Sequence, residues 1–248
     1  MNKAEAIREA FGNVAALRAQ ALALPALGQA IVAVKSLQAD RFAGTYADEL
    51  QGGRFEIASR FFLTELYSAQ DYTRRDAQFT RIAGAIDKLF PDKVSSLALA
   101  LARLHALTET LDSAMGQAWM KAGKPKTVGE RARQYVHVWR QVGRQANRAA
   151  QLTTVLGIGE ELAQLTRLRG LRTMLRMMRG PASAAGLADL QHFLETGFDT
   201  FADLGKSPGG TEAFLRQIET RETALIQSLF DDDLVTCETT LAKILGKP

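Results

Sequence analysis

At 248 residues the chain is long enough to bury a core unaided, and its single cysteine, Cys237, excludes an internal disulfide. No Cys/His set has the spacing of a zinc site, and one cysteine excludes C-x-x-C-H haem attachment and points to a reducing, cytoplasmic setting. The formal charge of +4 conceals an uneven spread: residues 1–120 carry 13 basic and 13 acidic groups, 121–180 carry 13 and 3, and 181–248 carry 5 and 11, for nets of 0, +10 and −6.

No run alternates apolar and polar residues at the period of a strand, and Leu, Ala, Arg, Gln and Glu fill the long segments. The expected fold is all-α, an irregular multi-helix bundle. From the N-terminus, MNKAEAIREAFGNV mixes acids and bases from the third residue, unlike a secretory signal. The longest apolar run, at 21–34, is interrupted by Pro25 and Gln29 and falls short of the ~20 residues that span a bilayer. The first helix is expected over 3–36 with a kink at Pro25. Others follow over 40–50, 54–68, 73–89, 92–122, 127–156, 159–179, 184–204, 211–230 and 232–246, about ten in all.

Local signals mark their ends. Thr73 to Asp76 and Thr127 to Glu130 have capping-box form, and Asp231 to Asp233 can cap the last helix. Gly52-Gly53, Gly123 to Pro125, Gly157 to Gly159, Gly180-Pro181 and Ser207 to Gly210 read as breaks. The basic, Gly/Pro-bearing segment 121–130 is the expected boundary between two lobes, 1–122 and 127–248, which can also share one core.

The densest aromatic stretch lies at 60–79. On a helix over 54–68, Glu56, Arg60, Thr64 and Ser68 form a polar stripe. Ile57, Ala58, Phe61, Phe62, Leu66 and Tyr67 cover the remainder, so this helix is expected to be central and wrapped by others. Glu65 lies on the apolar side, where a carboxylate needs a partner; Arg74, Arg75 or Arg81 can supply one. FAGTYADEL at 42–50, FFLTELY at 61–67, DYTRRDAQFTRI at 71–82 and LFP at 89–91 together resemble a family of bacterial proteins recognised by an FFLEELY motif. Thr64 stands where that family has Glu. The resemblance implies a helical fold and a bacterial source, and carries no catalytic residues.

His105 flanks an apolar stripe in the helix over 92–122, which raises haem ligation against the plainer reading of a hydrogen-bonded core histidine. No metal site is expected, since paired E-x-x-H motifs are absent, and neither a nucleophile elbow nor a phosphate-binding glycine loop occurs. LGIGEE, at 156–161, reads as a plain helix break rather than an anion site.

Two arginine rows remain as partner-binding candidates. Arg169, Arg172, Arg176 and Arg179 run beside a leucine stripe, and Arg133, Arg140, Arg144 and Arg148 form the second row. Either they pair with the acidic row Asp189, Glu195, Asp199 and Asp203, or they face a partner. Internal pairing is favoured for part of the first row and partner contact for the second. A non-catalytic binding protein is the leading expectation, with a protein partner ahead of nucleic acid or an anionic membrane. The alternative is a small-molecule binder holding haem, a tetrapyrrole or a lipid chain among Phe61, Phe62, Tyr67, Phe79 and His105, and an enzyme with an unrecognised site comes third. No cofactor is expected on the leading reading.

Overall fold

The computed structural model describes residues 2–86 and 92–247, with the backbone alone of 87–89. Phe90 and Pro91 of the LFP tripeptide therefore lie outside the described residues. Those described form α-helices and turns without a strand. The helices are α1 (Lys3–Ala23), α2 (Pro25–Thr45), α3 (Ala47–Leu50), α4 (Glu56–Glu65), α5 (Thr73–Leu89), α6 (Asp92–Ala122), α7 (Val128–Val142), α8 (Gln145–Thr166), α9 (Leu171–Met177), α10 (Arg179–Ala184), α11 (Ala188–Leu204), α12 (Gly210–Asp231) and α13 (Leu234–Leu245).

Where local chemistry is decisive, the expected ends are found. Pro25 opens α2, because proline lacks the N–H that a first helical residue leaves unused. Thr127 caps α7 in a reciprocal box with Glu130, and Asp233 caps α13 by accepting from the Thr236 N–H at 3.0 Å. Thr73 to Asp76 behaves otherwise. Asp71 accepts from the Thr73 N–H at 2.9 Å and from its hydroxyl at 2.6 Å, and the Asp76 carboxylate is used elsewhere.

The expected break at Gly157 to Gly159 does not exist, since α8 runs through both residues. Gly159 is there for closeness: a Cβ on it would stand 2.7 Å from Leu215 Cδ2 and 3.3 Å from Phe201. The breaks come on either side instead. Gly143 and Arg144, at φ 64° and 60°, end α7, and Gly170, at φ 85°, precedes α9. Gly180 and Pro181 sit inside α10, with Pro181 in its first turn, where a missing N–H is harmless.

The chain forms two compact units, each assembled from three separated stretches. The first comprises Met1–Ala15, Gln70–Ala106 and Thr153–Arg216. Its core gathers Ile7 and Phe11 of α1, Phe79, Ala83 and Ile86 of α5, Ala98 and Ala102 of α6, and Leu190 of α11. The second comprises Ala16–Ala69, Leu107–Leu152 and Gln217–Pro248. Val34 and Leu37 of α2, Met115 and Trp119 of α6, Tyr135 and Trp139 of α7, Leu229 of α12 and Leu241 of α13 make its core. The segment 121–130 lies within this second unit.

Candidate functional site

The FFLTELY aromatics pack together within the second unit. Phe42 of α2 stacks on Tyr46 at 4.3 Å and on Tyr67 at 4.5 Å, and Phe62 approaches the Phe42 ring at 6.4 Å. Phe61 and Phe62 are buried and Thr64 is exposed, matching the polar stripe. Ile57 departs from expectation: it is 60% exposed, so α4 is covered on one side and open on the other. Glu65 is half-buried. The residues proposed to line one ligand pocket divide between the units, with Phe61, Phe62 and Tyr67 in the second and Phe79 and His105 in the first.

Beneath these rings lies a buried ionic network whose members sequence reasoning missed. Arg41 donates to Glu222 at 2.6 Å, the Tyr46 hydroxyl donates to the same carboxylate oxygen at 3.2 Å, and Arg41 lies over the Tyr67 ring at 5.2 Å. Burial works against the Arg41 charge, but Glu222, together with Tyr67 and Tyr135, more than offsets it and holds the guanidinium protonated. Lys35 of α2 reaches Glu109 of α6 at 2.5 Å, and Gln38 donates to Asp112 at 3.1 Å. Burial pushes the Asp112 carboxyl above its ordinary range, against the opposing charges of Lys35 and Arg148. Only the acids' recurrence inside otherwise apolar helices hinted at this set.

In the first unit, His105 Nε2 lies 2.8 Å from the Asp76 carboxylate, and its ring packs near Phe11 and Tyr72. That contact is the hydrogen-bonded histidine of the plainer reading. Among the described residues, no group of three or more His, Cys, Asp or Glu side chains is placed to hold a metal ion.

The two arginine rows have different fates. Arg172 Nε donates to Asp199 at 2.7 Å, Arg176 lies 3.9 Å from the same carboxylate, and Arg179 Nε meets both Glu195 oxygens at 2.9 and 2.7 Å. All four arginines of this row are nevertheless exposed, and around α9 so are Leu168, Met174, Met177 and Met178. The second row is not a partner-facing stripe. Arg133 pairs with Glu238 at 3.2 Å, and Arg140 donates to the carbonyls of Leu229 at 2.8 Å and Asp232 at 2.5 Å, where α12 ends. Arg144 is exposed. Arg148 is buried, its guanidinium 4.1 Å above the Trp139 ring. The left-handed turn at Gly143-Arg144 breaks the helical phase, so a spacing of four or seven residues no longer means a shared face.

Residues 17–235 match the family described as a domain of unknown function, DUF8198. The chain belongs to that family. No curated protein and no solved structure matches it. Family membership thus covers both compact units, including Arg41, Asp112, Arg148 and Glu222 as well as α9, and leaves their roles to be argued from geometry. No single helix of the described residues is long and apolar enough to cross a membrane.

Proposed function

We propose that this chain is a non-catalytic binding protein of the bacterial, cytoplasmic FFLEELY-motif kind, and that the surface around α9 docks a protein partner. The observation that carries the reading is the exposed apolar group on that surface. Leu168, Met174, Met177 and Met178 lie within eleven residues, and Met177 is 74% exposed. Methionine is flexible and polarizable, which suits a surface that adapts to another chain. Arginine is enriched at such interfaces. Three of the four arginines here share two carboxylates, Arg172 and Arg176 meeting Asp199 and Arg179 meeting Glu195, so the patch keeps an excess of positive charge.

Charge complementarity therefore selects the occupant: an acidic amphipathic helix whose apolar face meets the methionines and whose acids meet Arg169 and Arg176. The test titrates a labelled acidic amphipathic peptide, duplex DNA and anionic phosphatidylserine vesicles against the full chain at rising salt. Peptide binding that persists under screening and is lost in Met177→Asp supports the reading. Binding of DNA or vesicles alone, or binding that Met177→Asp leaves intact, overturns it.

A further inference from the structure

We propose that Arg148 is the anchor of an internal oxyanion site in the second unit, one that takes the carboxylate or phosphate group of a small ligand. The proposal is independent of the α9 surface.

Arg148 is 5% exposed, and its Nε and Nη2 atoms are buried with no hydrogen-bond partner. Only Nη1 has a contact, to Gln151 Oε1 at 3.5 Å, the outer limit for a hydrogen bond. The two unpartnered atoms are not an arbitrary pair. Nε and Nη2 form the side-on edge of a guanidinium, whose parallel N–H groups match the two oxygens of a carboxylate or phosphate. A buried cation that leaves this edge unused gives up the hydrogen bonds that make burial tolerable.

The surroundings hold the edge in place. The guanidinium carbon lies 4.1 Å from the centre of the Trp139 ring, and the Trp139 indole N–H is itself buried without an acceptor. Arg148 stands in the first turn of α8, a helix of 22 residues, so the positive end of the helix dipole adds to its charge.

The groups that interact with its charge are Asp112 and Tyr135, with Lys35 and Glu109 acting in turn on Asp112 and Arg41 on Tyr135. Lys35 answers Glu109, and the Asp112 carboxylate accepts from Gln38 without reaching the guanidinium. Asp112 is the group that repels an incoming anion. Burial already pushes its carboxyl above the ordinary range, and an anion bound beside it favours the neutral form further, so affinity rises as pH falls.

The experiment titrates the full chain with sodium acetate and with inorganic phosphate, against sodium chloride at matched ionic strength. Intrinsic fluorescence of the two tryptophans, Trp119 and Trp139, and the thermal midpoint are followed together. A saturable response to acetate, phosphate or both, beyond the chloride control, is expected, and the anion that gives it identifies the ligand's head group. Arg148→Lys keeps the charge but loses the paired edge, so binding should weaken about tenfold or more. Asp112→Asn should bind at least as tightly as the wild type and lose the pH dependence. No saturable response from either anion with the wild-type chain overturns the proposal, whatever the variants do; so does equal binding by Arg148→Lys.

Discussion

Arg41 and Glu222 stand 181 residues apart in the chain and meet at 2.6 Å, both almost wholly buried, inside the second unit. The pair links α2 to α12, and Tyr46 adds a further donor to the same carboxylate. An ion pair at this depth gains little over apolar packing, yet losing one member leaves the other's charge stranded.

Glu222→Gln should therefore cost about 3–5 kcal/mol of stability, measured by urea unfolding. The double replacement Arg41→Met with Glu222→Leu should cost less than the single change, because no buried charge is then left alone. A loss of under about 1 kcal/mol for Glu222→Gln would instead assign the pair the weight of a surface contact.

Two helical glycines should respond in opposite directions to alanine. A Cβ on Gly44 would stand 2.0 Å from the carbonyl oxygen of Ile244, a backbone atom that cannot swing aside. Gly44→Ala should destabilise the fold and push α13 away from α2, even though alanine is the better helix former. A Cβ on Gly157 would meet nothing within 4 Å, so Gly157→Ala should stabilise α8 by about 0.5–1 kcal/mol. Thermal midpoints of the two variants read the contrast directly, and a shift of the same sign in both would contradict it.

The third prediction concerns alkaline pH. Burial, with the Glu222 charge next for Tyr46 and Tyr67, raises the proton affinity of Tyr46, Tyr67 and Tyr135, three of the chain's four tyrosines. A tyrosine released by unfolding ionises near pH 10. Above that value the unfolded chain binds fewer protons than the folded one, so stability falls as pH rises; below it, the contribution is fully present. Tyrosinate absorbance should accordingly rise for three residues in step with loss of helical dichroism between about pH 10 and 12. Ionisation of those tyrosines well before the helices melt would show that their hydroxyls reach solvent.

Interactions that close within one helical turn were legible in the amino-acid order. The all-α fold, the proline that opens α2, the Thr127 box, the Asp233 cap and the exposure of Thr64 beside buried Phe61 and Phe62 all rest on contacts among neighbours in sequence. The same range explains where the reading failed. Asp76 has the spacing of a cap and serves His105, 29 residues away, because the packing of α5 on α6 brings them together and Asp71 already meets Thr73. Gly157 and Gly159 have the composition of a break and lie in mid-helix, because Leu215 and Phe201 need the space beside Gly159. Arg148 has the spacing of a surface row and is buried over Trp139, because two left-handed residues at 143 and 144 rotate α8 out of phase with α7. Which of several like charges becomes buried depends on how helices pack, an outcome of side-chain volumes summed over distant segments, and this is why the Arg41–Glu222 pair and the idle edge of Arg148 were decided by tertiary structure alone.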